Sequence, residues 1–138
     1  MTPELARARF AAARVAHLAT ADQRGIPHLV PITFALDGDE IVTAIDAKPK
    51  RRAGGPLRRL ENIRANPAVS VLVDEYDEDW NRLWWARADG EASIVADGPR
   101  FDRALEVLRA RYPQYGTTPL AGPVILIRVA RWSGWLAA

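Results

Sequence analysis

The stretch Val15 to Ile45 (VAHLATADQRGIPHLVPITFALDGDEIVTAI) decides how this chain is read. It holds three apolar runs separated by turn chemistry. Val15 to Thr20 (VAHLAT) reads as a short strand. Asp22-Gln23-Arg24-Gly25 is a turn in which Gly25 supplies a positive φ without steric cost. Pro27 to Leu36 (PHLVPITFAL) reads as a second strand. Pro31 within it lacks a ladder donor, so the strand is expected to be an edge there or to carry a bulge. Asp37-Gly38-Asp39 closes a tight hairpin, and Glu40 to Ile45 (EIVTAI) returns. Residues 15–45 are therefore expected to form a three-stranded antiparallel meander.

The rest of the chain is read outward from there. Thr2-Pro3-Glu4 is a helix start, with a Thr N-cap, Pro at the first helical position and an acid in the first turn. That helix is expected to reach about Ala13 and to bury Leu5, Ala8, Ala12 and Phe10. After Gly54-Gly55-Pro56, Leu57 to Ala65 (LRRLENIRA) reads as a short helix that places Leu57, Leu60 and Ile63 or Arg64 on one face, and Asn66-Pro67 ends it. Ala68 to Asp74 (AVSVLVD) is a β-branched strand. Asp74 to Asp79 contains five acids and reads as a solvated turn. Leu83 to Val95 is a long strand expected to bend at Gly90. Asp97 is expected to cap a helix beginning at Pro99, whose face is Phe101, Leu105, Leu108 and Tyr112. Pro113 to Pro123 is a loop, Val124 to Val129 the last strand, and Arg131-Trp132-Ser133-Gly134-Trp135 follows it. This order lacks βαβα alternation. It implies a mainly β (α+β) fold of about six antiparallel strands, a small closed or split barrel with flanking short helices, in one domain spanning 1–138.

Composition excludes several chemistries. The chain of 138 residues is 49% hydrophobic and 26% charged, which decides for a globular protein over a disordered one. Cysteine is absent, so there is no disulfide framework, thiolate metal site or cysteine nucleophile. His17 and His28 are the only histidines, too few for most acid–base schemes or for zinc without carboxylates. Both fall in strands, where a hydrogen-bonded structural role is the ordinary one. Ser70, Ser93 and Ser133 lack a nucleophile-elbow context, and neither a Walker A nor a G-x-G-x-x-G motif occurs. Asp77-Glu78-Asp79 lack the Gly and distal Glu of a calcium loop. No metal site and no catalytic side chain are therefore expected. No apolar run approaches the ~20 residues of a membrane span, and Met1-Thr2-Pro3-Glu4 does not open a signal peptide. A cytoplasmic protein is expected.

Charge and aromatics point to a ligand. The formal net charge is only +2, yet Lys48 to Arg64 (KPKRRAGGPLRRLENIR) holds seven basic residues against Glu61 alone. One concentrated positive segment in an otherwise acidic chain suits a defined anionic ligand and argues against a nucleic-acid surface. Arginine forks match phosphate bidentately, and the segment leads into a helix start whose N–H groups favour anions. A solvated charged loop is the competing reading. Five tryptophans is a high number for this length. Trp84 and Trp85 are adjacent on a strand and must face opposite sides, so one of them is expected to cover an interface or a flat ligand.

Leu18-Ala19-Thr20 through Gly25, Pro27, His28, Pro31 and Phe34 resembles the opening of pyridoxamine-phosphate-oxidase-like flavin-binding proteins. So does Arg59-Leu60-x-Asn62-Ile63-x-x-Asn66-Pro67 followed by AVSVLVD. Asp79 to Ala92 (DWNRLWWARADGEA) and the terminal RWSGW look like the actinobacterial branch that uses the deazaflavin coenzyme F-420. The resemblance implies a six-stranded antiparallel split β-barrel that forms a homodimer with cofactor clefts between subunits. Coenzyme F-420 is the cofactor it implies first and FMN the alternative. The basic residues holding phosphate and tail would be Lys48, Lys50, Arg51 and Arg59, with Asn62 nearby. His28, Pro31, Ile32 and Thr33 would lie beneath the ring, flanked by Thr43 to Ile45. Trp80 would be the aromatic after the acidic turn, and Trp132 or Trp135 would reach in from the partner. The implied function is hydride transfer to or from a small planar acceptor. The alternative is a non-catalytic protein that holds FMN, deazaflavin or haem.

Overall fold

The computed structural model describes residues 1–45, 57–117, 120 and 122–138. Among them, seven strands form one antiparallel sheet: β1 (Ala16–Ala21), β2 (Pro27–Ile32), β3 (Ala35–Asp37), β4 (Glu40–Ala44), β5 (Ala68–Glu75), β6 (Trp84–Val95) and β7 (Val124–Leu136). Three helices accompany them, α1 (Pro3–Ala12), α2 (Arg58–Ala65) and α3 (Pro99–Arg111). The sheet order is β2-β1-β5-β6-β7-β4-β3.

The strand count is seven rather than six because the expected strand 27–36 is broken. β2 pairs with β1, β3 pairs with β4, and the two pieces stand at opposite ends of the sheet order. The expected meander is thus two hairpins serving different halves of the sheet. Only Thr33 and Phe34 separate β2 from β3. With Cα atoms ~3.8 Å apart along the chain, the two sheet edges must approach within about 12 Å, so the sheet rolls up with a seam at Thr33-Phe34. Side chains take over the backbone groups at this seam. Thr43 Oγ1 donates to the Thr33 carbonyl at 2.8 Å. The Tyr112 hydroxyl accepts from Phe34 N at 3.1 Å and lies 2.7 Å from the Phe34 carbonyl. Pro31 lies, as expected, on an edge strand.

Phe10 of α1 plugs one end of the rolled sheet. Fully buried, it meets Phe34 edge-on at 5.8 Å and Trp132 at 5.2 Å. The buried side of α1 is Ala6 and Phe10, with Ala8 and Ala12 exposed, because Phe10 sets the rotation and alanines add little area either way. Arg111 at the end of α3 donates to the carbonyls of Ala11 and Ala13, closing the C-terminus of α1. A second apolar cluster packs Ala104, Leu105 and Leu108 of α3 on Ala35, Val42 and Leu126. The N-cap of α3 is Gly98 at φ 90°, not Asp97, because only a left-handed residue turns the chain there.

β7 continues to Leu136, so the RWSGW end is strand rather than tail. Its pairing places Trp132 opposite Ala88 and Trp135 opposite Trp85. The β6/β7 register shifts between Asp89 and Gly90, where a bend was expected. A side chain at Gly90 would run into the Arg128 carbonyl oxygen, so the two strands close only over glycine. No helix among the described residues is long and apolar enough to cross a membrane.

Candidate functional site

The seam opens into a cleft of about 200 Å³. Its walls come from three directions. Pro31 and Ile32 end β2 and Thr33 follows them; Thr43 and Ala44 end β4, with Ile45 after; Arg59 comes from the first turn of α2. Tyr115 closes the cleft from a 3-10 turn, Pro113–Gly116, that follows α3. The structure therefore brings together Pro31, Ile32, Thr33, Thr43 and Arg59, five of the thirteen residues expected at a cofactor. Lys48, Lys50 and Arg51 lie outside the described residues. In sequence they lie between Ile45 and Arg59, both of which line the cleft.

Tyr115 has no counterpart in the sequence reading, which left 113–123 as an undifferentiated loop. Its hydroxyl lies 2.7 Å from Thr33 Oγ1. Its ring packs edge-on against Tyr112 at 5.7 Å. The only sequence signal was a tyrosine between Pro113 and Gly116, and that pattern carries no chemistry by itself.

The remaining expected residues are elsewhere in this chain. Asn62 is 2% exposed and donates through Nδ2 to Thr20 Oγ1 at 3.0 Å, so it faces the sheet interior rather than the cleft. His28 is paired across the ladder with Thr20 on that same side, one face away from Pro31, and its Nδ1 is buried without a partner among the described residues. Trp80 is 68% exposed and donates to the Tyr76 hydroxyl at 3.3 Å. Trp132 packs into its own chain's core against Phe10, whereas Trp135 is 45% exposed on the outer face. Trp84 and Trp85 do face opposite sides. Trp84 packs on the core beneath the Arg9 guanidinium at 4.7 Å, and Trp85 carries Arg87 at 5.5 Å.

The donor set suits a flat anionic heterocycle. Proline, isoleucine and alanine side chains give an apolar bed, while two threonine hydroxyls, one phenol and a guanidinium set polar groups along its margin. Among the described residues no side chain caps the N-terminus of α2, and Arg59 stands in that first turn, at the positive end of the helix dipole. Among the described residues no three histidine or carboxylate side chains converge as metal ligands would.

Solved structures share this architecture. A conserved hypothetical protein from Mycobacterium tuberculosis is 23% identical with a TM-score of 0.74, over 99% of this chain and 85% of that one. A FAD-binding protein from Mesorhizobium loti is 24% identical with a TM-score of 0.73, over 97% and 94%. HutZ, the heme storage protein from Vibrio cholerae, is 19% identical with a TM-score of 0.72, over 99% and 95%. No curated protein matches the chain. The sequence pattern of one family, described as pyridoxamine 5'-phosphate oxidase, matches residues 2–136. The rolled seven-stranded sheet, its seam cleft and that near-complete match agree: the chain belongs to the pyridoxamine 5'-phosphate oxidase family and has its split-barrel fold.

Proposed function

We propose that this protein binds a deazaflavin, coenzyme F-420, or else FMN, and transfers a hydride between it and a small planar acceptor. One observation carries the reading. The segment holding Lys48, Lys50 and Arg51 lies in sequence between Ile45 and Arg59, both of which line a cleft that also carries the hydroxyls of Thr33, Thr43 and Tyr115. A ring would rest on the apolar bed at the seam, and its phosphate would meet the basic segment and Arg59. The bound group supplies the hydride chemistry. The chain's own residues bind, orient and keep water from the ring, which suits a protein with only two histidines.

The working unit in this reading is a homodimer. Leu29 is 65% exposed, Val15 51% and Ile26 45%, and the Trp85–Trp135 pair lies on the outer face of the sheet. A second copy covering these residues would remove apolar surface from water and bring Trp80 or Trp135 to the partner's cleft.

Replacing Lys48 and Lys50 together by Ala tests the site. Charge-assisted contacts of ~1.5–3 kcal/mol each predict at least a tenfold weaker affinity for FMN or F-420, with folding intact. Unchanged affinity at physiological salt removes the basic segment from the site. A second reading, non-catalytic haem holding, is favoured by the likeness to a heme storage protein. A Soret band on haem titration, with no flavin or deazaflavin binding, would select it.

A further inference from the structure

The seam places Thr33 under a double grip. Thr43 Oγ1, from β4, donates to its carbonyl at 2.8 Å. Tyr115 Oη, from the turn after α3, lies 2.7 Å from its hydroxyl. Tyr115 is itself braced by the Tyr112 ring at 5.7 Å. The Tyr112 hydroxyl contacts the carbonyls of both Phe34, at 2.7 Å, and Arg14, at 3.0 Å. Two elements, β4 and the turn after α3, thus hold one threonine that lines the cleft, and Tyr112 braces the second of them.

Counting protons shows what the arrangement offers. Thr33 and Tyr115 each carry one hydroxyl proton, and the bond between them uses one. A phenol is the stronger acid and the poorer acceptor, so Tyr115 donates and Thr33 accepts. The Thr33 proton is then left over, and the donated bond polarises it toward stronger donation.

Resting on the flavin or deazaflavin reading, we infer that Thr33 donates this hydrogen bond to a carbonyl oxygen or ring nitrogen at the edge of the bound heterocycle, and that Tyr115 is the positioning residue that aims and strengthens it. Such a donor favours the ring form with more electron density. Tyr115 therefore raises the reduction potential of the bound ring as well as its affinity.

The test uses the full chain with FMN and with F-420, measuring affinity by fluorescence titration and the midpoint potential of the bound ring. Tyr115→Phe keeps the aromatic contact with Tyr112 and removes the donor. It should weaken binding about fivefold to tenfold and lower the potential. Thr33→Val should weaken binding at least as much, and adding Tyr115→Phe to it should change nothing more, because Tyr115 acts through Thr33. Thr33→Ser should restore both readouts. Wild-type affinity and potential in Tyr115→Phe, or effects of the two variants that simply add, overturn the inference while leaving cofactor binding in place. A wild-type chain that binds neither FMN nor F-420 overturns the proposed function and this inference together.

Discussion

Asn62 separates two accounts of α2. Its motif context makes it a cofactor contact, whereas the structure buries it to 2% exposure with Nδ2 on Thr20 Oγ1 at 3.0 Å. Thr20 is 3% exposed, so neither partner has water to fall back on. Replacing Asn62 by Ala strands the Thr20 hydroxyl, a loss of about 1–3 kcal/mol. Alanine is the better helix former by roughly 0.5 kcal/mol, which offsets part of it. The expected net loss is ~1–2 kcal/mol. At a few degrees per kcal/mol for a domain of this size, that lowers Tm by about 3–10 °C. The assay is urea and thermal unfolding of ligand-free protein, since a bound cofactor would add stability of its own. A cycle with Thr20→Val should give a coupling of ~1 kcal/mol between the two sites. An Asn62→Ala protein with wild-type stability and reduced FMN or F-420 affinity would refute the structural assignment and return Asn62 to the cofactor.

Two further perturbations probe the packing. Trp132→Ala should cost about 2–3 kcal/mol in chemical denaturation, because the half-buried indole packs on the core against Phe10 at 5.2 Å. Trp135→Ala should cost under ~1 kcal/mol in the same assay and, in the proposed homodimer, lower the dimer fraction seen by light scattering. The opposite order would show that the outer tryptophan, not the inner one, holds the barrel. Gly90→Ala should destabilise by at least ~2 kcal/mol, since its Cβ meets the Arg128 backbone, with the Arg128 carbonyl carbon and Val129 Cα both at 3.0 Å. Melting at the wild-type temperature would mean that the β6/β7 register can shift to make room.

Local chemistry made most elements legible. Thr2-Pro3 opened α1, the Thr2 hydroxyl indeed accepting from Leu5 N at 3.1 Å. The turns after Asp22 and Asp37 closed two hairpins, and the even apolar run of AVSVLVD produced β5. Pro31 announced an edge, and the motifs around the seam and α2 announced the family. These signals depend on neighbours in sequence, and so they survive being read along one dimension. What tertiary structure alone decided begins at Thr33-Phe34. Nothing in PITFAL marks a break, because the groups that take its backbone from the ladder are the hydroxyls of Thr43 and Tyr112, one of them 78 residues away. That long-range capture splits one strand into two, sends the halves to opposite edges and opens the cleft. It also brings Tyr115 to the site, turns Asn62 inward onto Thr20, and carries Trp132 into the core while its near neighbour Trp135 stays outside. Each outcome depends on which backbone and side-chain groups lack a partner once the sheet has rolled, and a threonine or tyrosine reads the same in sequence whether it faces a ladder, a core or a ligand.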